Sequence, residues 1–205
     1  MLGRVQANLG SLFARTGRYA EALRQFDIAS QLLLGDGAPP DAADLARSEL
    51  LLDQASNYLA LNLLSEAGAA LDRCEQLYRA ASQPYELAQC LLFHGLVRCR
   101  LEDFAGAQAL LIEAERLFAG LDNRLWQNRV ALALATLEAQ SQNIESAVNR
   151  LDTLLAQATN PKAASHAPDG WDIISWTEAR LLRLRLHLLG NELDQARALA
   201  AQIER

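Results

Sequence analysis

One alanine sets the frame of this chain. Ala22, Ala67, Ala107, Ala147 and Ala196 recur at intervals of 45, 40, 40 and 49 residues, each with matching neighbours. Three residues before each stands a large apolar residue: Tyr19, Leu64, Phe104, Ile144 and Leu193. Four residues after come Phe26, Leu71, Leu111, Leu151 and Ala200, and twelve before come Gly10, Ala55, Gly95, Ala135 and Leu184. A period near 40 residues is the mark of a stacked-repeat protein. Each unit reads as two antiparallel helices, the first carrying the small residue and the second the alanine. Where two helices cross closely, a Gly or Ala on one leaves room for a large side chain of the other. Neither helix buries its apolar stripe alone, so neighbouring units must stack.

Composition agrees with helices. The 205 residues are 51% hydrophobic, only 6% aromatic, and rich in Leu and Ala, while Pro occurs five times. Leu and Ala favour helix, and the β-branched residues that favour strands are sparse. Helix pairs are expected over 3–34, 43–80, 84–119, 123–157 and 173–204. GDGAPPDA after Leu34 and ATNPKAASHAPDGWD before Ile173 read as loops. Asp41 or Asp44 is expected to cap the second pair, and Pro84 to open a first helical turn. RLLRLRLHLL alternates like a strand, but its register with the other units makes it helix. Arg180, Arg183 and His187 then share one helix face.

The first unit, LGSLFARTGRYAEALRQFDIA, carries Leu9, Gly10, Gly17, Tyr19, Ala22, Phe26 and Ala29 in an order that resembles the tetratricopeptide repeat (TPR) family. The third unit, HGLVRCRLEDFAGAQALLIEA, matches well; the fifth departs, with Leu184 and Ala200 in place of a small and a large residue. The resemblance implies an all-α fold, a right-handed α-solenoid of about five TPR-like antiparallel helix pairs over 1–205, as part of a longer protein. The family's usual period is 34, so these units are longer. Long-period arrays of this kind occur in bacterial signalling proteins, including transcription activators and CHAT-type caspase-like proteases. The composition, with Lys162 the sole lysine among many arginines, resembles that of a GC-rich bacterial gene.

Net charge is −6 and the pI about 5.1. An acidic chain is a poor general ligand for nucleic acid, whose affinity rests on phosphate neutralisation. No direct nucleic-acid partner is expected. The N-terminus lacks the apolar stretch of a signal peptide and no apolar run is long enough to span a membrane. Cys74, Cys90 and Cys99 have no paired spacing, which fits a reducing cytoplasm.

Catalytic and metal chemistry find little support. His94 and Cys99 lie five residues apart on one expected helix, whereas caspase-like catalysis sets its His and Cys on separate loops. Cys74 falls in the slot of Ala29 and Ala114 and reads as core, and Cys90 lies in a packed helix. His94, His166 and His187 form no zinc-ligand spacing, and no GxxxxGK[ST] or GxGxxG stretch occurs. No catalytic, metal or cofactor residue is assigned, and the chain is expected not to be an enzyme.

What the TPR resemblance implies instead is a concave face lined by the first helices. It carries over to Gln6 and Phe13; Gln54 and Tyr58; Leu91, His94 and Arg98; Glu138; and Arg180, Arg183 and His187. Tyr, Arg and His dominate interface hot spots, so the expected function is a protein-interaction scaffold that holds a peptide or protein segment. The Arg and His residues favour an acidic segment or a C-terminal carboxylate. The alternatives are the sensing arm of a CHAT-type protease or the repeat domain of a transcription activator. Leu193, Ala196, Leu199, Ala200 and Ile203 make an apolar stripe on the last helix, so self-association or a docking domain is expected at that end.

Overall fold

The structure is a computed structural model that describes residues 2–33, 40–156 and 170–203, without the side chains of residues 33 and 40–45. Among the described residues there are ten α-helices and no strand: α1 (Leu2–Arg15), α2 (Tyr19–Leu33), α3 (Pro40–Ala60), α4 (Leu64–Ala80), α5 (Pro84–Arg100), α6 (Phe104–Gly120), α7 (Arg124–Gln140), α8 (Ile144–Ala156), α9 (Ile173–Leu189) and α10 (Leu193–Ile203). α1 pairs with α2, α3 with α4, α7 with α8 and α9 with α10, and the helix bounds fall within three residues of those read from the sequence. Two compact units result, Met1–Leu110 and Leu111–Arg205, with the boundary inside α6. In the first, α1 packs on α2, α3 on α4, and α2 and α4 pass the stack on to α3 and α5. In the second, α7 packs on α8, α9 on α10, and α9 also meets α7 and α8.

The turns show why the period is near 40. Gly17, Asn62, Glu102, Gln142 and Asn191 join the two helices of each pair, and every one has a positive φ. Ser82 and Asp122, between pairs, share that conformation. Asn62, Ser82, Glu102, Asp122 and Gln142 thus stand at successive intervals of 20 residues. The backbone bonds are the same at each: Asp103 N donates to Arg98 O at 3.0 Å, Asn143 N to Glu138 O at 2.8 Å, and Glu192 N to His187 O at 2.8 Å. These are Schellman closures, in which a left-handed residue lets the chain reverse while satisfying the last carbonyls. From α4 to α7 the chain is therefore a run of 17-residue helices and three-residue turns. Starts are marked by Pro84 in the first turn, by Asn123 accepting from Trp126 N at 3.3 Å, and by Asp172 accepting from Ser175 N at 3.0 Å. The expected caps Asp41 and Asp44 lie inside α3, with their side chains outside the described residues. His166 and most of the two expected loops also lie outside them.

The register alanines are all buried, as are Phe26, Leu71, Leu111 and Leu151 four residues on. Gly10, Ala55, Gly95 and Ala135, twelve before the alanines, are buried too. The large residues three before the alanines are not the knobs of this packing: Tyr19, Leu64, Phe104 and Ile144 are half-buried and Leu193 is exposed. They sit at the first turn of their helices, where one side of the ring or branch stays open. Phe26 is the knob, and Gly10 gives it room. On α10 the apolar stripe is partly consumed, with Ala196 buried and Leu199, Ala200 and Ile203 half-buried.

Candidate binding surface

Several of the residues expected to line a groove, namely Gln54, His94, Arg98, Arg183 and His187, meet acids on second helices or turns. Thirteen residues before the register alanine stand Gln54, His94 and Arg183. Five after the preceding alanine stand Asp27, Asp72 and Asp152. Gln54 Nε2 donates to Asp27 Oδ1 at 3.3 Å. His94 Nε2 lies 3.6 Å from Asp72 Oδ1, and its Nδ1 3.4 Å from Glu75 Oε2. Arg183 grips Asp152 with two bonds, of 2.6 and 3.1 Å. The fourth pair has buried Leu134 at this position. Each tie joins a first helix to the second helix before it, so the line of residues faces that helix.

One turn further on stand Tyr58, Arg98, Glu138 and His187. Burial pushes the Tyr58 phenol up from its ordinary range, and Asp27 and Glu66 push it further. Arg98 donates to Asp103 Oδ2 at 3.2 Å and approaches His94 Nε2 at 3.5 Å. Glu138 accepts a forked contact from Arg150, with Nη2 at 2.9 Å, and Arg150 also reaches Glu115 at 3.5 Å. His187 Nδ1 stands 2.6 Å from Glu192 Oε2 and 3.4 Å from Arg183 Nη1. Arg180 lies 5.6 Å from the Trp176 ring centre, and burial pulls its guanidinium pKa down. Leu91 lines no groove; it is fully buried, because its helix turns that face inward. Phe13 is half-buried under the Arg18 guanidinium, 4.3 Å from its ring centre. Gln6 is half-buried, with Oε1 unpaired.

In the first unit α1 and α3 leave a cleft of about 240 Å³ between first helices. Arg4 and Asn8 line one side, Glu49 and Asp53 the other, with Ala7, Ala46 and Leu50 between. Ser11 Oγ donates to Asp53 Oδ2 at 3.0 Å. Burial raises the Asp53 carboxyl pKa above its ordinary value, Ser11 opposes this, and Glu49 adds to it. None of these cleft residues is among those put forward from the sequence. Asn8 and Asp53 stand fourteen before the alanine rather than thirteen, and one residue is a rotation of about 100° on a helix of 3.6 residues per turn. A larger cleft of about 440 Å³ in the second unit is lined on α6, α7 and α8 by polar side chains, among them Glu115, Gln127, Asn128 and Arg150.

The thiols are placed for packing. Cys74 and Cys90 are fully buried, and Cys74 Sγ points at Ser48 O at 3.3 Å. Contact with Cys74 and burial hold the Cys90 thiol far above its ordinary range, and burial raises Cys99 as well. A thiol held protonated is a poor nucleophile. Among the described residues no three His, Cys, Asp or Glu side chains gather as a metal site, and no helix is long and apolar enough to cross a membrane.

No protein-family profile matches the sequence, and no curated protein does. Solved structures do match in fold. A putative kinesin light chain of Podosopora anserina with nearly identical TPR-like repeats superposes with a TM-score of 0.71 at 15% identity, covering 98% of this chain and 92% of that one. A thermophilic TPR protein of Thermus thermophilus gives 0.68 at 20% identity, over 98% and 89%. The Rap conjugation gene regulator of the plasmid pLS20, solved in complex with the Phr peptide, gives 0.75 at 12% identity over 96% of this chain and 51% of that one. This chain spans about half the length of that regulator. The fold is all-α and built of TPR-like antiparallel helix pairs, as in the α-solenoids of these proteins.

Proposed function

We propose that the chain is a non-catalytic protein-interaction scaffold that holds a peptide or protein segment on the face lined by its first helices. The observation that carries this reading is the cleft between α1 and α3, where Arg4, Asn8, Glu49 and Asp53 converge on a space of about 240 Å³. It is supported by the likeness in fold to a Rap regulator solved with a peptide. Such a cleft, with polar walls over a small apolar floor, suits an extended segment anchored by one side chain. Of the residues expected from the sequence, Gln54, Tyr58, Arg98, Arg180 and Arg183 keep part of their surface open. An acidic segment would compete with Asp103 for Arg98 and with Asp152 for Arg183. His94 and His187, being buried, serve to position those arginines, and Glu138 to hold Arg150.

The test is selection of peptides from a random display library on the intact chain, followed by fluorescence anisotropy of the enriched peptides. Asn8→Ala and Arg98→Ala should each weaken binding about tenfold, or about 1.4 kcal/mol, with the melting temperature of Asn8→Ala unchanged. Binding should also weaken with salt. A library that enriches nothing, or peptides indifferent to both substitutions, would remove the reading.

A further inference from the structure

First helices carry two positions that cover the preceding pair, seventeen and ten residues before the register alanine, and all are apolar except Asn57 of α3. In α3 the first is Leu50, packed in one cluster with Ala22, Phe26 and Ala29 of the pair before it. In α9 they are Ala179 and Leu186, clustered with Ala147, Leu151 and Leu154 of α8. In α5 they are Cys90, whose sulfur meets Leu71 O, and Val97, which faces Gly68. In α1 they are Val5 and Leu12, and both are 55% exposed. This face of α1 has the make-up of an internal junction and no pair against it among the described residues.

The opposite face shows the complementary lack. Fifteen residues before the alanine, Leu52 of α3 is buried, and Leu132 of α7 is buried in one cluster with Ala179 and Leu186 of α9. Leu59, eight before, is buried too. Their counterparts on α9 are Leu181 and Leu188, 48% and 54% exposed. Among the described residues, then, no first helix covers this face of α9, and no pair covers the matching face of α1.

We infer that α1 of one copy seats on the α9–α10 pair of another, in the place of a sixth first helix. Two further matches favour a second copy as the occupant. The tie between internal pairs joins a polar residue thirteen before one alanine to an aspartate five after the last, as in Gln54 with Asp27 and Arg183 with Asp152. At the two free faces these positions are Leu9 and Ala201, so stacking leaves no charge stranded. Charge also matches across the first-helix cleft. Arg4 of α1 shares its cleft with Glu49 of α3, both eighteen before their alanines. On α9 that position is Glu178, which a second copy would meet with its own Arg4; both are exposed. Opposite charges face each other in either case, with the signs reversed.

Such a contact is heterologous and need not close, so copies add one after another as concentration rises. Sedimentation equilibrium of the full chain should show a mean mass that climbs past twice the 22.5 kDa of one copy. Val5→Glu blocks the head and Leu181→Glu blocks the tail, so each alone should be monomeric. Mixed in equal amounts, they should pair through the one intact head and one intact tail and stop at a dimer. Leu12→Glu and Leu188→Glu repeat the test two turns along if circular dichroism shows that a first variant has lost helix. A wild type that stays monomeric up to its solubility limit would overturn the inference and leave these faces to other partners. Either variant associating alone as the wild type does would overturn it in favour of a symmetric contact. Failure of the mixture to pair would overturn it as well.

Discussion

Phe26 Cε1 stands 2.5 Å from the point a Cβ on Gly10 would occupy, with Cδ1 at 2.7 Å. Real side-chain contacts do not come so close, and Phe26 is fully buried, with little room to withdraw. The α1–α2 crossing is therefore set by the absence of one methyl group. Gly10→Ala should destabilise the chain by about 1–3 kcal/mol despite the higher helix propensity of Ala, because overpacking outweighs the gain of roughly 1 kcal/mol. A urea midpoint at or above that of the wild type would show that the crossing can open freely.

Gly10 and Phe26 also show how much of the fold was legible. A small residue twelve before an alanine and a large one four after it are local signals, repeated in the first four of the five units, and they locate the helices and their partners. The turn residues followed from the same frame. The cleft between α1 and α3 did not. A one-residue offset rotates the view by about 100°, and nothing in the polarity of Gln54 or His94 tells a ligand contact from a tie to an aspartate on the helix before. That aspartate lies 27 residues away for Gln54 and 22 for His94, so the tie exists only once the pairs are stacked. The cleft residues Asn8 and Asp53 carry no motif and come together only through the packing of α1 against α3.

Asn57 occupies a position that is Val97 in the third pair and Leu186 in the fifth. It is 2% exposed; Nδ2 donates to Asp53 O at 2.7 Å, but Oδ1 has no partner. A buried acceptor without a donor costs about 1–3 kcal/mol. Asn57→Val places an apolar side chain where the other pairs have one, and Asp53 O keeps its helical bond. The expected result is a gain in stability of about 1–2 kcal/mol, read as a higher melting temperature. A loss would mean that the amide is satisfied after all, or that the site is shaped for it.

Gln142 holds a φ of 66° in the turn between α7 and α8, where a side chain is disfavoured and Gly is the usual choice. Its side chain is exposed. Gln142→Gly should remove the left-handed penalty of about 1–2 kcal/mol, less what Gly adds in unfolded-state entropy. A net stabilisation of about 0.5–1 kcal/mol is expected, measured by chemical denaturation. The same change at Gln108, exposed in the interior of α6, should cost about 0.5–1 kcal/mol, and this pair of opposite signs separates the turn effect from glycine itself.

Asp53 provides a test in pH. Its carboxyl is raised above the ordinary 3.8 chiefly by burial, with Ser11 lowering it in part and Glu49 raising it. The native state then binds the proton more tightly than the unfolded state, so ionising Asp53 costs stability as pH rises from 3.8 through the native pKa. Asp53→Asn stays neutral throughout, and its carbonyl can still accept from Ser11 Oγ, which now donates to Asp53 Oδ2. The variant should be the more stable of the two at neutral pH. The gap should shrink as pH falls and be gone below 3.8, where the wild-type residue is protonated in both states. Urea midpoints of the two proteins across this range decide the matter. A gap that stays constant or widens toward acid would mean that the Ser11 bond outweighs desolvation, and that the cleft between α1 and α3 already holds its carboxylate comfortably.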